Sequence, residues 1–133
     1  MYIEMKFLPR FCDTDANGHI NNTAVAEWFE CGRADLAYRQ MSMQRGKKLL
    51  LRVDMVYRKE MNHLNEVTVR TGIERVGNSS VTLHQEIWQN GECGASATCY
   101  ECYIDGKGGS SPVPDDHRAI YEAYLYGKEN YAA

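Results

Sequence analysis

One stretch of the chain switches its hydrophobic period, and that switch limits the fold more than any other feature. Val25, Trp28, Phe29, Gly32 and Leu36 recur at i, i+3, i+4, i+7 and i+11, an apolar stripe along one helix face. Glu27, Glu30, Arg33 and Asp35 fall on the flanks or the polar side. Asn21 or Asn22 is a natural N-cap, and a helix running to about Met41 would be about 28 Å long. Gly32 in its middle costs about 1 kcal/mol relative to alanine, which implies close approach of the helix to another backbone.

Elsewhere the period is two. From Tyr2 to Cys12, Ile3, Met5 and Phe7 alternate with polar neighbours until Pro9, a residue suited to an edge or a kinked strand end. After a basic loop, Arg45-Gly46-Lys47-Lys48, three apolar–polar alternations follow. They run through Leu49, Leu51, Val53, Met55 and Tyr57, then Val67, Val69, Thr71 and Ile73, then Val81, Leu83 and Ile87. Asn90-Gly91 is a strong two-residue hairpin signal leading into Cys93 to Ile104. Beyond Pro112-Val113-Pro114, Asp115 or Asp116 is placed to cap a short helix through Ile120, Tyr121 and Tyr124.

The predicted order is strand, long helix, four strands joined by tight turns, and a short C-terminal helix. The last four strands are expected to form an antiparallel meander. One long amphipathic helix needs a sheet to cover. The fold class is therefore α+β, an antiparallel sheet of about five strands wrapped around one central helix, the layout known as a hotdog. A single helix leaves one sheet edge uncovered, and a homodimer or homotetramer is the expected remedy.

Composition narrows the function. A length of 133 residues fits a single domain over 1–133. A hydrophobic share of 44% with 25% charged residues excludes global disorder. The net charge of −3 lacks the basic excess of a nucleic-acid module. No apolar run approaches the roughly 20 residues that span a bilayer, and the acid at Glu4 with no apolar h-region is unlike a signal peptide. A cytoplasmic location with no membrane partner is the expectation. Five cysteines, an odd count, agree with a reducing compartment. Cys99 and Cys102 have C-x-x-C spacing, but residues three apart on a strand face opposite ways. Neither a metal nor a cofactor is expected.

Residues 13–22, Asp13-Thr14-Asp15-Ala16-Asn17-Gly18-His19-Ile20-Asn21-Asn22, carry the chemistry. They bring two carboxylates, an imidazole and three amides to a helix N-terminus, whose leading N–H groups lack intrahelical partners. Amides around Asn22 can hold a developing oxyanion. A carboxylate just upstream can attack a carbonyl held there or activate a water beside it. The same residues can also do no more than cap the helix and close a turn.

This loop resembles the active-site segment of hotdog-fold acyl-CoA thioesterases of the hydroxybenzoyl-CoA thioesterase type, with Asp13, Asp15 and Gly18 matching their Asp-x-Asp-x-x-Gly pattern. Gly18-His19-Ile20-Asn21-Asn22, followed by Trp28-Phe29-Glu30 and Arg33, is similar to one branch of that family. The run Asp15-x-Asn17-x-His19-x-Asn21-Asn22 also resembles the catalytic segment of acyl-carrier-protein thioesterases. The resemblance implies hydrolysis of an acyl-CoA to a free acid and CoA. It implies Asp15 as nucleophile or general base, Asn22 N–H as oxyanion donor, and Asn17 and His19 as orienting residues. Asp13 is expected to close the turn. Gly18, Tyr57 and Trp28 are expected at the substrate, with Trp28 or Phe29 walling an acyl tunnel. Arg45, Lys47, Lys48, Arg58, Lys59 and Arg75 are candidate partners for the phosphates of CoA. The competing expectations are a carrier-protein thioester as substrate, or a non-catalytic acyl-CoA-binding module. Retention of Asp15 favours catalysis over mere binding.

Overall fold

Asn21 ends the polar loop and starts the helix. Its side-chain oxygen accepts the Thr23 N–H at 3.1 Å, satisfying one of the free leading amides. The helix, α1 (Asn22–Ala34), buries Ala24, Val25, Trp28, Phe29 and Gly32 along the expected stripe. The computed structural model, which describes residues 1–41 and 47–125, continues the same rod through a π-helical turn, Asp35–Gln40. The rod reaches its expected length, but its last turn is wound more loosely, with i→i+5 bonding. At Gly32 a Cβ would stand 2.6 Å from Thr71 Oγ1 and 2.8 Å from Gln85 Nε2. The glycine thus permits close approach to sheet side chains, not to a second backbone.

Five strands form one antiparallel sheet: β1 (Ile3–Phe7), β2 (Lys48–Tyr57), β3 (Val67–Val76), β4 (Ser80–Gln89) and β5 (Glu92–Tyr103). Their spatial order is β1-β3-β4-β5-β2. Only β3, β4 and β5 make the expected meander. β2 pairs with β5, because the segment between Tyr57 and Val67 is no tight turn: it crosses the sheet end, anchored by Arg58 N–H to Gly94 O at 2.8 Å. Asn90 and Gly91 both take positive φ, 55° and 76°, as a two-residue hairpin of this type requires.

The core lies between α1 and the inner sheet face, where Val67, Val69, Ile73, Leu83, Ile87 and Ala95 are fully buried. The first strand is shorter than expected, and its chain passes Pro9 into a 3-10 turn, Phe11–Asp13. The C-terminal helix α2 (Asp115–Ala123) is capped by Pro114 with no side-chain bond; Asp115 and Asp116 stand instead in its first turn, where they complement the dipole. Cys99 is buried toward the helix while Cys102 lies on the other face of β5. Among the described residues no helix is long and apolar enough to cross a membrane.

Candidate active site

The loop between β1 and α1 is built on Asp13. Its buried carboxylate accepts Arg10 N–H at 2.8 Å through Oδ2 and Arg10 Nη2 at 2.8 Å through Oδ1. The guanidinium bond holds the Asp13 carboxyl below the usual carboxylate range. Its backbone carbonyl accepts Asn21 N–H at 2.7 Å, closing the loop's base. Thr14 and Ile20 then pair as a bridge, so that residues 15–19 form a tip. Gly18, at φ 81°, supplies the left-handed residue that the tip needs.

Asp15 sits at the tip's edge. Its Oδ1 accepts the N–H groups of Asn17 at 2.8 Å and His19 at 3.1 Å. Those two bonds fix the carboxylate while leaving Oδ2 without a protein donor among the described residues. Ile20 N–H donates to Met61 O at 2.9 Å, which ties the loop to the chain leaving β2. That tie brings residues 57–61 opposite the tip and encloses a cleft of about 650 Å³.

Asp15, Asn17, His19 and Asn22 line one side of the cleft, and Tyr57, Arg58, Lys59 and Glu60 line the other. Asn22 occupies the first helical position, and its N–H has no protein acceptor among the described residues. Thr23 N–H, by contrast, is taken by Asn21. Glu60 is a site residue that the sequence does not announce. Its Oε2 stands 3.0 Å from His19 Nε2, a contact that no local spacing signals, because it depends on where the chain turns after β2.

Two expected substrate residues lie outside the cleft. Trp28 is buried in the core, edge-on to Phe7 with ring centroids 5.3 Å apart, so the helix stripe uses it for packing. Gly18 is exposed and shapes the turn without lining the cleft. The phosphate candidates also divide. Arg58 and Lys59 are at the cleft, although Arg58 Nε donates to Ser96 Oγ at 3.0 Å and Lys59 pairs with Glu92 at 3.2 Å. Lys48 is buried in an ion pair with Glu101 at 2.8 Å and is withdrawn from any ligand. It opens β2, and Arg75 sits near the end of β3, both at the sheet end opposite Tyr57. Lys47 is exposed beside Lys48, and Arg45 lies outside the described residues. Among the described residues no three His, Cys, Asp or Glu side chains are grouped to hold a metal ion.

The comparisons with known proteins agree on the fold. A predicted thioesterase from Bacillus stearothermophilus is 35% identical, with a TM-score of 0.86 over 95% of this chain and 98% of that one. A Thermus thermophilus thioesterase, solved with coenzyme A and zinc, is 24% identical, with a TM-score of 0.82 over 91% and 92%. A 4-hydroxybenzoyl-CoA thioesterase variant, solved with 4-hydroxybenzoyl-CoA, is 15% identical, with a TM-score of 0.77 over 90% and 97%. No curated protein matches the sequence. The sequence model of the thioesterase-like superfamily matches residues 9–121, from the approach to the Asp13 clasp into α2. With that match spanning most of its length, the chain belongs to the thioesterase-like superfamily.

Proposed function

We propose that this chain hydrolyses an acyl-CoA thioester to a free carboxylic acid and CoA, with Asp15 as the reacting carboxylate. One observation carries the reading: one oxygen of a carboxylate and a helix-terminal amide, both without a protein partner among the described residues, line the same cleft. A thioester carbonyl seated on Asn22 N–H would meet the positive end of the α1 dipole, which favours negative charge on its oxygen. Asp15 Oδ2 then has two routes. It attacks the carbonyl carbon, expelling the CoA thiolate and leaving a mixed anhydride that water opens. Alternatively it takes a proton from a water that attacks directly, and that proton leaves on CoA. Sulfur donates weakly into the carbonyl and departs as a stable thiolate, so either route suits a thioester better than an amide.

His19, paired with Glu60 and facing the same space, orients the attacking water or the carbonyl. Lys59 at the rim is the nearest candidate for a CoA phosphate. Acyl-CoA is favoured over a carrier-protein substrate because relatives of this fold bind CoA or an acyl-CoA in their solved structures. The basic loop that would dock a carrier also has Lys48 turned inward. The same reading has the chain working as a homodimer or homotetramer through the edge of β2.

A panel of short, medium and aromatic acyl-CoAs, with released thiol trapped, tests the activity. Asp15→Asn is expected to lower kcat by about 10² to 10⁴. It should leave Tm near wild type, because an asparagine Oδ1 still accepts the Asn17 and His19 N–H groups. Near-wild-type turnover by that variant would remove Asp15 from the mechanism. Thiol release from none of the esters would remove the activity.

A further inference from the structure

Next to the cleft at Asp15, along the seam between α1 and β2, lies a second groove. Val25 and Tyr57 line the cleft. The next positions on the same two elements, Ala26 and Phe29 on α1 and Met55 and Val53 on β2, line the groove, whose volume is about 270 Å³. α1 packs chiefly on β3 and β4, so its flank and the inner face of β2 stay open to each other. Ala26, Phe29, Leu50, Val53 and Met55 give the groove its apolar lining, Glu27 and Glu30 its acidic rim, and Arg33 stands at the far end.

Arg33 is half-buried and rigidly held by neutral groups. Its Nη1 donates to Gln85 Oε1 at 3.1 Å and reaches Cys99 Sγ at 3.5 Å. Gln85 is itself fixed, its Nε2 donating to Phe29 O and Thr71 Oγ1 at 2.9 Å each. Among the described residues Arg33 forms no ion pair, and its Nε–Nη2 edge carries no hydrogen bond. That edge is the planar fork that takes a carboxylate through two parallel bonds. A half-buried guanidinium whose hydrogen bonds go only to neutral groups has charge left over for an anion brought into the groove.

We propose that the acyl group cleaved by this chain ends in a carboxylate, bound at its far end by the Nε–Nη2 edge of Arg33. The proposal rests on the acyl-CoA reading above and names the acyl class within it. Arg33 lies about 16 Å along α1 from Asn22, and its side chain leans back toward the helix N-terminus, which leaves about 10 Å between carbonyl and fork. An extended chain of about eight to ten carbons spans that distance. The substrate is then the mono-CoA thioester of a medium-chain α,ω-dicarboxylic acid. Glu27 and Glu30 lie on the groove's exposed rim, where water screens them from a bound anion.

Octanoyl-CoA and octanedioyl mono-CoA, which differ only at the far end, test the assignment. The kcat/KM for the dicarboxylic ester is expected to exceed that for octanoyl-CoA by about tenfold or more, the scale of one charge-assisted bidentate contact. Arg33→Gln should bring the ratio near one, chiefly by raising KM for the dicarboxylic ester. Arg33→Lys, which keeps the charge but lacks the fork, should recover only part of the preference. A wild-type ratio at or below one overturns the proposal. So does a ratio that Arg33→Gln leaves unmoved while both esters slow together or the oligomer dissociates, since Arg33 would then be structural or paired with a second copy. If wild type cleaves neither ester, the hydrolase reading fails separately. The calorimetric Kd values of the two esters for wild type and Arg33→Gln then decide the Arg33 assignment by the same ratio.

Discussion

Asp13 and Asp15 stand two apart in one loop and end in opposite environments. Asp13 is buried and takes three hydrogen bonds from Arg10, whereas Asp15 is exposed and bonded through one oxygen only. The first builds the loop, and the second is the carboxylate proposed to react. Because the folded state holds Asp13 ionised below its unfolded pKa of about 3.9, its stabilisation is complete above that value and is lost as pH falls through the lowered native one. Asp13→Asn is therefore expected to cost about 1 kcal/mol at pH 7, with the gap to wild type closing in acid. Urea denaturation at a series of pH values checks this, and a gap independent of pH would sink it. The tip residues Asp15, Asn17, His19 and Asn22 were legible in the sequence because they are near neighbours beside a helix start. Glu60 was not, since it arrives from a segment about forty residues away that only tertiary folding lays across the tip. Trp28, expected at the substrate, packs on Phe7 away from the cleft, because a helical stripe tells which side of α1 is buried, not which buried side chain meets a ligand.

At the scale of elements, α1 was the most legible, because its stripe and its Asn21 cap agree. The neighbours of β2 were not. Alternation specifies which face of a strand is inward, but it does not say which strand lies alongside, and β2 bypasses β3 to pair with β5. That pairing recruits Lys48, which looks like a loop cation in the sequence, into a buried chain of polar groups. Lys48 Nζ donates to Glu101 Oε1 at 2.8 Å and to Tyr121 OH at 3.2 Å. Tyr121 and Tyr103 bond at 2.8 Å, and Tyr103 OH reaches His117 Nδ1 at 2.9 Å. Burial pushes the Tyr103 hydroxyl up to about 12 and raises that of Tyr121 as well, so both stay protonated and able to donate at neutral pH. The chain ties β2, β5 and α2 together. Lys48→Met strands the Glu101 carboxylate and is expected to cost about 3–5 kcal/mol. Adding Glu101→Leu should restore most of the loss, because the orphaned charge, not the missing contact, carries the penalty. Equilibrium denaturation of the two variants separates these cases, and a double variant as unstable as the single one would refute the account.

For the whole molecule, the deciding feature is that the helix sits off-centre over its sheet. α1 rests chiefly on β3 and β4, while β2 closes the sheet as an edge with Leu51 65% and Tyr57 53% exposed. Leu49, Leu50 and Val56 are exposed on the same strand. Long apolar edges with unpaired backbone groups invite another strand, and a second copy paired antiparallel through β2 would satisfy both. It would also lie beside the cleft, whose Tyr57 and Arg58 wall is the end of that strand. In the proposed dimer, then, assembly and turnover rise and fall together. Light scattering on wild type should give about twice the 15.2 kDa chain mass, or a higher even multiple. Leu49→Lys with Leu51→Lys places like charges across the pairing edge and should reduce the mass to that of one chain, with KM for acyl-CoA rising. A wild-type protein that is monomeric at full turnover would show that the apolar edge serves something other than a second copy of this chain.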